Sequence, residues 1–200
     1  MTPFVLIVPV KAWPRAKSRL EVPGVAVPEL AAAFAADALQ AALRARHVSE
    51  VVVVTDADTF APDGVTVVAD RGNGDLNAAL RAAAEEVSRR EPDVSIAAMC
   101  ADLPCLLTAD LDTALEQADG RRAYVADAEG TGTTLLAAPA GTSLDPGFGP
   151  GSAARHRASG AVRLDAAVPT LRRDVDTDVD LAAAMTLGLG PRTQSVLEGR

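Results

Sequence analysis

Apolar positions in this chain come in short unbroken runs, separated by alanine-rich stretches with scattered charges. FVLIVPV (residues 4–10) is rich in β-branched residues and has no polar position inside it, which suits a strand buried on both faces. EVVVVTD (50–56), GVTVVAD (64–70) and VSIAAMCAD (94–102) repeat the pattern, and the second of these is entered through the turn-like PDG. RAYVADA (122–128) and TTLLAAP (133–139) predict two further strands flanking EGTG. Between the runs, residues 29–46 are strongly helix-forming, with Pro28 just before or at the first turn. Residues 75–90 predict a helix with Asp75 near its N-terminus, where negative charge is favoured. Residues 108–118 predict a helix capped by Thr108, residues 151–160 a short helix, and residues 178–188 the last one. Strands alternate with helices from end to end, so the class is α/β with a mostly parallel sheet. With no internal repeat and no Gly/Ser linker, residues 1–200 read as a single domain, loose from about residue 188 onward as termini often are.

Charge narrows the function classes. A net charge of -8 speaks against a nucleic-acid binder, which needs a basic face, but is compatible with a local cationic pocket. The apolar start is too short to span a membrane and lacks a basic leader or cleavage site, so a soluble cytoplasmic protein is expected. Cys100 and Cys105 match no zinc spacing and read as core or loop thiols. His47 and His156 read as structural, and two isolated histidines support no nucleophile–base pairing. The two lysines of the chain, Lys11 and Lys17, fall in one segment, VPVKAWPRAKSRLEVP (8–23), with Arg15 and Arg19. A basic loop directly after the first strand suggests a triphosphate site, since the lysine ammonium is a compact charge suited to phosphate oxygens. RGNGDLNAAL (71–80) places Asn77 at another strand-to-helix passage, where it could read a base edge.

RRDVDTDVDL (172–181) crowds Asp174, Asp176, Asp178 and Asp180 into alternate positions. An EF-hand loop starting at Asp174 would need Gly at its sixth place and Glu at its twelfth, where the chain has Val179 and Met185. Thr177 followed by Asp180 before an apolar run is a capping-box-like start, and Asp178 and Asp180 then lie in the first turn of a helix. Asp174 and Asp176 remain. They are either solvated loop charges or, on one face of an extended segment, part of a divalent-metal site built from separate elements. Asp102 in AAMCADLP lies just beyond a buried strand that Pro104 stops; it reads as a turn aspartate or as a third ligand, because ligands of open α/β sheets collect at the carboxyl ends of strands.

Two glycine-containing stretches have the make-up of anion cradles. EGTGTTLL (129–136) offers hydroxyls beside a strand, and FGPGSAARH (148–156) offers Gly149, Gly151 and Ser152 at a helix start, where free backbone N–H groups favour an anion. Neither is a Walker loop or the GxGxxG of dinucleotide binders, and the first strand leads into lysines rather than glycines.

Taken together, VPVKAWPRAKSRL, NGDLNAAL, ADLPCL, GTGTTLLAA, FGPGSAARH and RRDVDTDVDL resemble the CofC-type guanylyltransferases of coenzyme F-420 biosynthesis, in the bacterial branch that acts on phosphoenolpyruvate. The likeness runs from residue 4 to about residue 187. It implies a single-domain nucleotidyltransferase, an α/β/α sandwich of glycosyltransferase-A-like type. The implied reaction joins GTP to phosphoenolpyruvate, giving enolpyruvoyl-2-diphospho-5'-guanosine and pyrophosphate with Mg2+. It further implies Asp102, Asp174 and Asp176 as metal ligands, Thr134, Gly149 and Ser152 as phosphoenolpyruvate contacts, and Lys11, Arg15, Lys17 and Arg19 on the triphosphate, Lys17 being counted with the catalytic groups. 2-Phospho-L-lactate or 3-phosphoglycerate as the acid, a molybdopterin-type nucleotidyltransferase, and a silent nucleotide-binding module stand as alternatives. The partners so implied are the two substrates and the downstream F-420 transferase, with a homodimer compatible and neither nucleic acid nor membrane involved.

Overall fold

The computed structural model describes residues 2–10, 20–56 and 63–199. Its centre is a sheet of seven strands: β1 (Phe4–Pro9), β2 (Val48–Thr55), β3 (Thr66–Ala69), β4 (Ser95–Met99), β5 (Ala123–Ala126), β6 (Thr133–Ala138) and β7 (Val162–Arg163). Their order across the sheet is β3-β2-β1-β4-β6-β5-β7. β1 pairs in parallel with β2 and β4, β2 with β3, and β5 with β7, while β6 runs antiparallel to both β4 and β5. Six strands therefore end at one edge of the sheet, and the reversed β6 begins there.

The unbroken apolar runs have their cause in the layering. Alternate side chains of a strand point to opposite faces, and here both faces are covered. Phe4, Leu6 and Val8 pack with Ala38 and Leu39 of α1 (Val27–Leu43) and Leu111 and Leu115 of α3 (Thr108–Ala118). Val5 and Ile7 pack on the opposite face with Leu80 and Val87 of α2 (Leu76–Arg90) and with Ala153 of α4 (Ser152–Ala158). The chain is thus a single-domain α/β/α sandwich. A third, smaller cluster lies beside it: Leu30 and Phe34 of α1, Cys105, Val175, and Leu181 and Ala184 of α5 (Asp178–Leu187), with Leu189, Val196 and Leu197 packed against them. No helix among the described residues is long and apolar enough to cross a membrane.

Two elements lie outside the sequence-based assignment. β7 is two exposed residues. α6 (Pro191–Leu197) occupies the stretch where looseness is expected, and packs on α1. Its first turn is held by Asp37 of α1, whose buried carboxylate accepts from the Arg192 N–H at 3.0 Å and the Thr193 N–H at 2.8 Å. Thr108 does not cap α3: the cap position is Leu107, and the Thr108 hydroxyl donates instead to the Ala41 carbonyl, 3.0 Å away at the end of α1.

Candidate functional site

The expected site residues that the structure describes gather at the edge where the parallel strands end. Asp102 follows β4. Its backbone carbonyl accepts from the Val175 N–H at 3.1 Å, which lays the 174–176 segment against the end of that strand. On the other side of Asp174, Arg172 donates to the Asp127 carbonyl at 2.8 Å and to the Ala126 carbonyl at 3.1 Å, tying the same segment to the end of β5. Asp174 is therefore suspended between two strand ends. The other two aspartates of the run start α5 as expected: the Thr177 hydroxyl and the Asp180 backbone and carboxylate form a full capping box.

The carboxylates around Asp174 differ from the expected set. Oxygens of Asp127, Glu129 and Asp174 lie within 4.8 Å of one another. Asp102 and Asp176 are outside that trio but close enough to act on it. Burial pushes the Asp174 carboxyl up to about 7, and the negative charges of Asp102, Asp127 and, least, Asp176 push in the same direction. Asp176 is exposed, and its backbone N–H meets the Asp180 carboxylate at 3.2 Å. Asp127 and Glu129 went unremarked in the sequence, although Asp127 stands just past a strand, as Asp102 does. A carboxyl raised mainly by burial, with further carboxylates pushing the same way, favours a compensating cation, and an all-oxygen, hard donor set fits a divalent ion of the Mg2+ or Ca2+ kind. Asp174, Asp127 and Glu129, with Asp102 and Asp176 at the margin, could hold it.

The Asp127 carboxylate also shapes its hairpin. It accepts from the Thr131 N–H at 2.9 Å and the Gly132 N–H at 2.7 Å, closing the loop between β5 and β6. Gly132 has no room for a Cβ, which would fall on the Asp127 carboxylate. The loop in turn seats α4: the Thr131 carbonyl accepts from the Ala153 N–H at 3.1 Å.

Thr134 and Ser152 are fully buried, and their hydroxyl oxygens find no hydrogen-bond partner among the described residues. The Tyr124 and Thr193 hydroxyls share this state, but Thr134 and Ser152 flank the loop that seats α4; an unpaired buried hydroxyl costs about 1–3 kcal/mol, which a polar ligand bonding there would offset. The backbone of the FGPG turn is otherwise engaged. The Gly149 carbonyl accepts from the Ser152 N–H at 3.0 Å, and Gly149 itself has φ +111°, a conformation that favours glycine. Of the N–H groups expected to cradle an anion at the start of α4, those of Ser152 and Ala153 are thus already paired. Arg155, a cation beside an expected phosphate loop, spends its guanidinium on the carbonyls of Gly147, Gly149 and Pro150, at 3.0, 3.0 and 2.6 Å.

His156 is structural, as expected. Its Nε2 accepts from the Gly147 N–H at 2.9 Å, so the ring proton sits on Nδ1 and is donated to the Thr133 hydroxyl at 2.9 Å. Burial, helped by the nearby Arg122 and Arg155 charges and opposed by Asp145, lowers its pKa to about 4. Cys105 is a buried thiol whose pKa burial pushes up to about 11, and Cys100 is a half-buried one donating to the Thr133 carbonyl at 3.4 Å. Asn77 is at the first turn of α2, but its carboxamide is bonded to the backbone of Phe148 at both ends. Lys11, Arg15, Lys17 and Arg19 lie outside the described residues.

Comparison with known proteins identifies the family. The model of the family "Guanylyl transferase CofC like" matches residues 4–198. A phosphoenolpyruvate guanylyltransferase of Streptomyces scabiei is 52% identical over 203 residues, covering 95% of this chain and 94% of that one. Those of Streptomyces coelicolor and Thermomonospora curvata are 49% and 46% identical, covering 96% of this chain in each case and 95% and 87% of their own length. Among solved structures, a protein assigned as a nucleotide-diphospho-sugar transferase from Desulfovibrio desulfuricans G20 superposes with a TM-score of 0.72 at 19% identity, over 100% of this chain and 95% of its own. A 4-diphosphocytidyl-2C-methyl-D-erythritol synthase does so with a TM-score of 0.63 at 15% identity, over 94% and 99%. At those identities the two structures share the fold alone, whereas the sequence matches run the length of the chain: it belongs to the CofC-like guanylyltransferase family.

Proposed function

We propose that this protein transfers the guanylyl group of GTP to phosphoenolpyruvate, giving enolpyruvoyl-2-diphospho-5'-guanosine and pyrophosphate for the downstream F-420 transferase, in the cytoplasm. The observation that carries the reading is the meeting, at one sheet edge, of a crowded carboxylate group with two buried hydroxyls that lack partners among the described residues. The full-length kinship with phosphoenolpyruvate guanylyltransferases supports the choice of acid.

In this reading an oxygen of the phosphoenolpyruvate phosphate attacks the α-phosphorus of GTP. A new P–O bond forms as the bond to the departing pyrophosphate breaks. The attacking oxygen is already ionised near neutral pH, so the chain supplies no general base. Thr134 and Ser152 donate their hydroxyl protons to the acceptor phosphate, and the turn at Gly149 lets the backbone approach it. Holding the two anions in line is the larger part of the task, since well-oriented reactants gain about 7–11 kcal/mol over free encounter. Lys11, Arg15, Lys17 and Arg19 supply cations for the triphosphate and the leaving pyrophosphate. Asp174, with Asp127, Glu129, Asp102 and Asp176 around it, would hold Mg2+, which supplies charge screening between the two phosphates.

The test is pyrophosphate release from GTP and Mg2+, offered phosphoenolpyruvate, 2-phospho-L-lactate or 3-phosphoglycerate in turn, with and without the downstream transferase and its deazaflavin acceptor. Release with phosphoenolpyruvate is expected. Release with another acid alone would replace the substrate, and GTP binding without release with any of them would make the chain a silent nucleotide-binding module.

A further inference from the structure

We infer that Asn77 is a positioning residue for the acceptor acid, fixing the loop that holds the acceptor phosphate, and that it does not read guanine. The inference rests on the functional reading above. The Asn77 Oδ1 accepts from the Phe148 N–H at 2.7 Å, and its Nδ2 donates to the Phe148 carbonyl at 3.1 Å. A carboxamide reads a base through this same edge, one acceptor beside one donor. Asn77 cannot offer that edge to guanine without releasing Phe148.

What the brace holds is the turn between Gly147 and Ser152. Among the described residues, the other side chains bonded to its backbone, Arg155 and His156, both come from α4, which the turn itself leads into. His156 also ties the turn to β6 through the Thr133 hydroxyl, and the Ala153 N–H ties the start of α4 to the Thr131 carbonyl. Asn77 reaches it from a different helix, across 71 residues of sequence. The start of α2 is itself well anchored. Asp75 caps it by accepting from the Asn77 N–H at 2.8 Å and the Ala78 N–H at 3.2 Å, and Gly72 lies so close that an added Cβ would strike the Asp75 carbonyl and Ala79. The Asp70 carboxylate takes the Gly72 N–H at 2.7 Å. The start of α2 thus fixes the Phe148 end of the turn, while the Thr131 and Thr133 bonds fix its Ser152 end. Phe148 is buried, its ring edge-on to His156 at 5.3 Å between centroids, so its backbone groups have little access to water as a substitute partner.

The experiment is steady-state kinetics of wild type, Asn77→Ala and Asn77→Asp with each substrate varied in turn, together with hydrogen exchange of the Phe148 amide. In Asn77→Ala the KM for phosphoenolpyruvate should rise at least about tenfold and kcat fall, because an ångström of misplacement can cost about a hundredfold in rate. The KM for GTP should stay within about twofold, since the base lies elsewhere in this reading. The preference for GTP over inosine triphosphate should be unchanged, and the Phe148 amide should exchange faster. Asn77→Asp keeps the side-chain size and the acceptor for the Phe148 N–H, and shows the same split if the alanine variant does not fold. A raised KM for GTP with a collapsed preference over inosine triphosphate would overturn the inference and make Asn77 a base reader. Faster exchange at Phe148 with unaltered kinetics would overturn it too. A wild-type enzyme that releases no pyrophosphate with any of the acids fails at an earlier step, and takes the functional reading down with this one.

Discussion

At the scale of single residues the site is a conflict held in place. Asp174 is half-buried beside Asp102 and Asp127, and its carboxyl is raised to about 7. In the unfolded chain the same group titrates near 4, so the folded state holds its proton more tightly. The stability this contributes is present at low pH and is lost as pH rises through about 7, where the metal-free protein must carry the charge. Asp174→Asn removes that burden. We expect the metal-free variant to be more stable than wild type at pH 8, by on the order of 2–4 kcal/mol, with little difference at pH 4. Mg2+ should stabilise wild type and not the variant, and turnover should fall by several orders of magnitude. Urea unfolding at the two pH values, with and without Mg2+, checks the first part, and pyrophosphate release the second. His156 has the opposite sign. Its folded pKa of about 4 lies below that of a free histidine, so stability is full above about 6.5 and is lost as pH falls from there towards 4. Replacing it by Gln should flatten that acid limb, worth on the order of 2–3 kcal/mol, in a pH series of unfolding curves.

Among the elements, the hairpin between β5 and β6 tolerates little change. Gly132→Ala drives a methyl group onto the Asp127 carboxylate and breaks the two N–H bonds that close the loop. A stability loss of about 2–3 kcal/mol is expected, with a weakened response to Mg2+, because Asp127 belongs to the cluster around Asp174. A thermal melt with and without Mg2+ reads both effects. How far this was legible in the sequence depends on the kind of partner each residue has. The central strands announced themselves because both their faces are buried, and the capping box at Thr177 and Asp180 because its partners are three residues apart. Asp174 was legible from its place on the segment leading into the cap of α5, and Asp102 from its placement at a strand end. Asp127 could have been found by the same rule, but its position was read only as part of a strand next to a glycine turn. The Asn77 brace was hidden for a different reason: its partner is the backbone of Phe148, and a backbone partner leaves no mark on composition or spacing. β7 is too short to carry a pattern, and α6 is anchored by Asp37, more than 150 residues earlier in the chain.

For the molecule as a whole, the C-terminal stretch matters more than its position suggests. Ending the chain at residue 187 would leave the buried Asp37 carboxylate without the Arg192 and Thr193 N–H groups, and Pro104 without the bond its carbonyl takes from the Gly190 N–H at 2.7 Å. A buried charge stripped of its partners costs about 3–5 kcal/mol, a large share of the stability of a domain this size. The truncated protein should melt many degrees lower, and calorimetry of the two lengths checks it. Pro104 is two residues from Asp102, and Leu189, Val196 and Leu197 pack on the cluster that contains Val175, the residue between Asp174 and Asp176. That third cluster shares no residue with the two cores on the faces of the sheet. Proteins open in cooperative patches whose free energies run from near zero up to that of global unfolding. The patch formed by α5, α6 and the 175 segment should therefore open before the sheet does, its amides exchanging with solvent while those of β1 and β4 stay protected. The enzyme would then have a state in which the fold is intact and the acidic centre dismantled, and its working lifetime would be set by how rarely that small patch opens.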